Sequence, residues 1–189
     1  MSQNSSPSVS ATEAGPAAAL SAAPGLPALG LRPLAASDLP QIEKLDERAF
    51  GPGRFARTAY RLREGAAPDF AMSYVAHVGT LLVGSNIMTR VRCGEAQMML
   101  LGPLTVEPAF RSRGIGEALA QRSLEAARAA GCKLVLLVGD EPYYARLGFK
   151  RVAPGRISLP GPVDPARVLV CELEPGAFEG VAGPVRKAG

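Results

Sequence analysis

The sequence predicts an α/β domain of mixed α+β type, built on a mostly antiparallel, twisted sheet of about six to seven strands flanked by helices. Three observations carry this. Residues 70–78, 80–92 and 96–106 read as strands separated only by Gly79 and the Gly94-Glu95 turn, too little chain for anything but an antiparallel meander. Residues 114–130 read as a helix that Gly131 stops, and the apolar, β-branched run 133–138 follows at once as a central strand. The length of 189 residues, 47% hydrophobic and 20% charged, gives one core of ordinary size. A chain of this length buries about 70% of its extended-chain surface, so it needs neither metal nor disulfide to fold.

The first stretch stands apart. Residues 1–28 are dominated by Ala, Pro, Ser and Gly, with Glu13 the one charge, and cannot bury enough apolar area to offset their ordering entropy. They read as a flexible extension, without the basic start of a signal peptide or the arginines of a transit peptide. Residues 29–189 then form one domain. Residues 29–34 are a short strand, and Ser37-Asp38 cap a helix to about Ala49 with Leu39, Ile42, Leu45 and Ala49 on one face. Gly51-Pro52-Gly53 breaks the chain before an Arg-rich helix over 54–64. After the meander, the helix over 114–130 carries a polar stripe of Glu117, Gln121, Glu125 and Arg128, and its remaining circumference packs on the sheet. Residues 141–147 form a short helix, 149–152 an edge strand and 167–173 the last strand.

Composition narrows the function. No apolar run is long enough to cross a membrane. Cys93, Cys132 and Cys171 are scattered, without a CxxC, and His77 is the single histidine, which excludes the usual zinc sites and suits a reducing, cytoplasmic setting. Net charge is +4, with only four lysines among 21 basic residues, so the positive charge is mostly guanidinium, suited to phosphate or carboxylate. Without tryptophan or a Lys/Arg run, nucleic-acid binding is not supported, and a small anionic ligand explains the arginines as well.

The informative stretch lies within residues 100–116, LGPLTVEPAFRSRGIG, where a strand ends, an Arg-rich loop follows and two glycines open a helix. Unpaired amides at a helix start attract anions, and glycine lets the backbone approach one closely. A pyrophosphate could dock on the amides of Ser112, Arg113, Gly114, Ile115, Gly116 and Glu117, with Arg111 and Arg113 adding charge-assisted contacts. The plainer alternative is a tight loop-to-helix junction. A dinucleotide-binding reading of Gly114-Ile115-Gly116 fails: the third small position is Leu119, a long loop separates strand from glycines, and the upstream strands are antiparallel.

Arg111-Ser112-Arg113-Gly114-Ile115-Gly116 resembles the Q/R-x-x-G-x-G/A signature of the GCN5-related N-acetyltransferases (GNAT), and Tyr144-Ala145-Arg146-Leu147-Gly148-Phe149 resembles their Y-x-x-x-G-F segment. Order and spacing agree over roughly residues 29–173. The LGPL and YYxRxGF details are most similar to the YhbS-like small bacterial acetyltransferases.

The resemblance implies a soluble acyltransferase that moves the acetyl group of acetyl-CoA to a primary amine by direct attack in a ternary complex. It implies a GNAT-like sheet with a V-shaped splay between the fourth and fifth strands, residues 98–106 and 133–138, where acetyl-CoA lies. Leu104, Thr105 and Val106 would offer it backbone groups as a strand edge does. Pro103, which cannot donate to a ladder, fits a bulge there, against the plainer reading of an edge-strand proline. Tyr144 matches the family's general acid to the CoA thiolate, and an ordinary phenol would give the rate an alkaline limb near pH ~10; its alternative is packing alone.

No residue is singled out as the base. Glu107 suits a loop cap as well, Glu95, Asp140 and Glu141 read as turn charges, His77 sits on an alternating strand, and Cys132 has no activating neighbour. The acceptor is an amine on a small molecule, amino acid or peptide. Arg54, Arg57, Arg61 and Arg63 lie where the family lines its acceptor side and would suit a carboxylate or phosphate, although a solvated helix face explains them equally. No metal, nucleic acid or membrane is called for, and the assembly is a monomer or homodimer. The alternative from another class is a non-catalytic sensor that binds CoA or acyl-CoA without turnover.

Overall fold

A computed structural model describes residues 28–51 and 58–188. The extension read at 1–28 lies, but for Ala28, outside the described residues, as do Arg54 and Arg57.

The strands are β1 (Leu29–Pro33), β2 (Tyr74–Val78), β3 (Leu81–Cys93), β4 (Ala96–Val106), β5 (Leu134–Val138), β6 (Lys150–Arg151), β7 (Ile157–Ser158), β8 (Val168–Glu172) and β9 (Gly183–Lys187). The helices are α1 (Leu39–Phe50), α2 (Thr58–Arg63), α3 (Ile115–Ala129) and α4 (Glu141–Tyr144). Strand order is β1-β2-β3-β4-β5-β8-β6, with β9 on β3 and β7 on β9. The β2 to β4 meander is antiparallel as expected, β1 adds antiparallel to β2, and β4-β5 is the parallel pair within the main sheet.

Two expectations need correction. The main path holds seven strands, within the number expected, but among the described residues β7 and β9 lie off that path, and the last strand is β9, not the one at 168–172. β9 takes the edge of β3 beyond the reach of β2, aligning Val185 with Cys93. Its sequence, GPVRK, buries one side chain, Val185, so no alternation betrays it. Asp38 does not cap α1 either. Its carboxylate turns back to accept from both terminal nitrogens of Arg32 at 2.7 Å and from the Ala35 amide at 2.9 Å. The Arg32 guanidinium, opposed by burial and helped by that amide, holds the Asp38 carboxyl below the ordinary aspartate range.

β5 shows why the central strand is wholly apolar: it is covered on both faces. Leu134 and Leu136 join Leu62, Val91, Leu100 and Phe178 on one side. Val135 and Leu137 join Met99, Leu124 and Phe149 on the other, against α3. On α3 the buried residues are Ile115, Leu119, Ala120, Ser123, Leu124 and Ala127, the face opposite the expected polar stripe. α1 lies across the sheet from α3, packing Ile42 and Leu45 on Leu34, Val75 and Leu82.

Gly84 sets how closely α3 approaches. A β-carbon there would stand 3.0 Å from Leu119 Cδ1 and 3.2 Å from Ile115 Cγ2. The bare glycine seats the first turns of α3 directly on β3.

Candidate functional site

The ladder between β4 and β5 is short. Only Met99↔Val135 and Leu100↔Leu136 are in register, and past Leu100 the two strands part. The cause is on β4. Between the Asn86↔Leu104 and Met88↔Leu101 pairs, one residue of β3 faces two of β4, Gly102 and Pro103. This is the bulge expected at Pro103; Gly102 adopts a φ of 117°, open to glycine alone, and the Gly102–Pro103 bond is cis.

The parting strands open a cavity of about 740 Å³. Leu101, Gly102, Pro103 and Leu104 line it from β4, and Val138, Gly139 and Asp140 from the end of β5. α1 and α2 close it on one side of the sheet; Tyr144 stands at it from the other. The gap thus joins the two faces.

Tyr144 is held by its ring. It meets Phe149 edge-on at 5.8 Å and Tyr143 at 4.8 Å, and lies so close on Gly139 that a β-carbon there would be 2.4 Å from Cε2. Burial pushes the phenol well above its ordinary pKa, with Tyr143 and Asp140 adding and Arg167 opposing. The proton therefore stays on Tyr144 through ordinary working pH. The alkaline limb near pH ~10, expected for an unperturbed phenol, moves out of reach.

The loop after β4 has the conformation an anion cradle needs. Ser112 sits at φ 61° and Gly114 at φ 75°, just ahead of the free amides of the first turn of α3. Around Gly114 the space is open: a β-carbon would meet nothing within 4 Å. Gly116 is different. A β-carbon there would stand 2.7 Å from the Tyr143 hydroxyl, so this glycine admits Tyr143 against α3. Glu117 pairs with Arg146 at 3.3 Å, tying the same two segments. Ile115 turns its side chain into the core, leaving only its backbone for a ligand.

The other expected residues are partly engaged. Arg111 Nε donates to the Val106 carbonyl at 3.4 Å, and the Arg113 guanidinium lies over the Phe110 ring at 5.2 Å. Leu104 and Val106 pack toward α3. Thr105 is buried and donates its hydroxyl to Asp46 Oδ1 on α1 at 2.5 Å.

The residues weighed as a base scatter. Glu107 accepts from Arg48 at 2.7 Å as a strut between β4 and α1. Asp140 meets Arg167 at 3.2 Å, and Glu141 pairs with Arg151. Glu95 is exposed in its turn. His77 faces the Arg32–Asp38 pair, and burial lowers its pKa. The Cys132 thiol, raised by burial, lies 3.7 Å from Met72 Sδ. Of the arginines expected on the acceptor side, Arg61 donates to the Pro160 carbonyl and Arg63 lines the cavity.

A family model for the acetyltransferase (GNAT) domain matches residues 70–151. Escherichia coli K12 YjhQ, described as an uncharacterized N-acetyltransferase, is 33% identical over 130 residues, 67% of this chain and 71% of that protein. The chain belongs to the GNAT acetyltransferase family. It is by family an acyltransferase. YhbS of the same organism, also described as an uncharacterized N-acetyltransferase, is 26% identical over 149 residues, 78% of this chain and 89% of that protein. The GNAT fold is shared with the crystal structure of Escherichia coli YhbS in complex with CoA, at TM-score 0.74 and 24% identity over 89% of this chain and 93% of that one. A GNAT acetyltransferase from Brucella melitensis, solved with acetyl-CoA, aligns at TM-score 0.57 and 28% identity over 80% and 98% of the two chains.

Three residues around this cavity escaped the sequence reading. Glu43 and Asp46 line the cavity from α1, and Gly139 seats the Tyr144 ring. For the two carboxylates the available signal was their spacing, three residues apart on one helix face, beside the apolar positions of α1.

Proposed function

We propose that the chain transfers the acetyl group of acetyl-CoA to a primary amine by direct attack within a ternary complex. The observation that carries this is the gap past Leu100: an unpaired β4 edge and a cavity that joins the α3 face of the sheet to the α1 face. Acetyl-CoA supplies an activated acyl group as a thioester. The chain's part is to bind, orient and stabilise.

The donor's extended arm runs along Leu104, Thr105 and Val106 in place of a strand, and the bulge at Gly102-Pro103 keeps β5 from closing that edge. The pyrophosphate rests on the amides from Ser112 to Glu117, with Arg111 and Arg113 swinging from their present contacts to meet it. Charge near these amides is favoured by about 0.3–1 kcal/mol from the helix dipole alone. Tyr144 holds a hydrogen bond to the departing sulfur. Because burial raises its pKa, it stabilises the thiolate as a hydrogen-bond donor that keeps its own proton, and the sulfur is protonated by the proton that the attacking nitrogen loses as the amide forms. The reducing cytoplasm suits the three free thiols and this reaction.

Release of free thiol tests the reading. Acetyl-CoA should raise the melting temperature, and a chromogenic thiol reagent should report CoA release that depends on a primary amine drawn from a panel of polyamines, arylalkylamines, amino acids and peptides. A rise in melting temperature without amine-dependent thiol would favour the non-catalytic sensor.

A further inference from the structure

We infer that Arg92 and Arg186 form a second oxyanion site, remote from the donor loop, which receives the dianionic phosphate of a phosphomonoester. The site is independent of the transferase reading above.

The ladder brings the two guanidinium groups together. Antiparallel pairing sets Arg92 of β3 directly opposite Arg186 of β9 and, on its other side, opposite Gln97 of β4. Residues so opposed point to the same side of a sheet, with β-carbons about 4.5–5.5 Å apart. The neighbouring Val91, Cys93 and Val185 are buried with Leu62 of α2, so Arg92, Arg186 and Gln97 project from the α3 side. On that side α3 covers Met88 and Met99, while Arg92, Arg186 and Gln97 are exposed.

Like charges set opposite each other on a ladder repel, and a bound anion removes that cost. The surroundings do not. Arg90, two residues along the same face, is matched by Asp69 at 2.7 Å. Lys187 lies opposite Val91, on the other face, where its Nζ donates to the Glu64 carbonyl. Glu95, exposed in the turn between β3 and β4, pairs with neither arginine. Among the described residues neither guanidinium has an acidic partner.

The chemistry selects the ligand. Each guanidinium presents a planar fork of N–H donors, and the Gln97 amide adds a further donor. A phosphomonoester offers three accepting oxygens and close to two negative charges, enough to meet both forks and balance both arginines. A carboxylate brings two oxygens and one charge. The donor loop lies too far away to share a ligand group: Arg92 is eight residues along β3 from Gly84, where α3 begins, about 27 Å at the rise of an antiparallel strand.

The probes are glycerol phosphate, acetate, and phosphatidylcholine vesicles with or without phosphatidic acid. All are used on the full chain at about pH 8 and matched ionic strength, with CoA present throughout so that any phosphate affinity of the donor loop is common to every sample. Glycerol phosphate should raise the wild-type melting temperature where acetate does not. Its affinity should fall about tenfold in Arg92→Gln and in Arg186→Gln, and Arg92→Lys should weaken it too, because lysine keeps the charge and loses the fork. The melting shift given by acetyl-CoA alone should be the same in every variant. Equal glycerol phosphate affinity in wild type and both glutamine variants, or wild-type affinity in Arg92→Lys, would overturn the inference. So would the absence of arginine-dependent binding to both glycerol phosphate and phosphatidic acid vesicles. Arginine-dependent binding of glycerol phosphate without vesicle capture upholds the site with a free phosphomonoester as its ligand, and arginine-dependent vesicle capture upholds it with a lipid headgroup. Should one glutamine variant not fold, the other decides.

Discussion

Tyr144 illustrates how environment redefines a residue type. In the sequence it is a phenol near a thiol in acidity; in the fold it is wedged among Tyr143, Phe149 and Gly139 with its proton locked on by burial. Tyr144→Phe keeps every ring contact and removes only the hydroxyl. Single-turnover transfer should fall by about 10² to 10³, the usual weight of one preorganised hydrogen-bond donor to a developing negative charge, with acetyl-CoA affinity unchanged. A folded-state pKa raised above the unfolded value means the neutral form persists below it, so wild-type rate should stay flat from neutrality to about pH 10, and a decline with the pKa of a free phenol would contradict the burial argument. The motif around Tyr144 was legible through family resemblance, and the structure gives it physical content: a turn glycine, Gly148 at φ 85°, beside a buried aromatic, Phe149. Asp46 was not, because nothing in LDERAF tells a solvated carboxylate from one that a threonine 59 residues away will hold.

Between elements, the fit of α3 on the sheet decides where the anion-binding amides stand. Ile115 and Leu119 are fully buried against Gly84, so neither can swing aside for a new methyl group, and the third near atom is the Thr105 carbonyl oxygen at 3.2 Å. Gly84→Ala should cost about 1–3 kcal/mol by overpacking and should weaken acetyl-CoA binding as well, because the helix start moves with Ile115. Thermal melts with and without acetyl-CoA read both effects; a destabilised variant with undiminished ligand shift would show that α3 is not the anion platform. The long, periodic segments, β3, β4, α3 and the apolar β5, were readable from pattern alone, since burial on one or both faces imposes that pattern. The strand β9 was invisible because its pairing to β3 rests on backbone bonds and one side chain, Val185. The start of β2 was overrun for a related reason: residues 70–72 are apolar, yet they form a turn in which Asp69 accepts from the Met72 and Ser73 amides.

For the whole molecule, the arrangement is two covered faces joined at one gap: α3 and α4 on the proposed donor side, α1 and α2 on the proposed acceptor side, and the parting of β4 from β5 between them. The Arg48–Glu107 pair and the Thr105–Asp46 bond both tie α1 to the end of β4, so the acceptor wall is fixed to the strand that forms the donor's edge. The splay was foreseen only through family resemblance, because the sequence carries no sign of where a ladder stops; the bulge at Gly102-Pro103 supplies the physical reason. Amide hydrogen exchange with and without acetyl-CoA tests this arrangement most directly. Acetyl-CoA should slow exchange at residues 104–106 and 112–117 and leave β1 and β9 unchanged. Protection absent from those two segments, or concentrated elsewhere on the chain, would contradict the account.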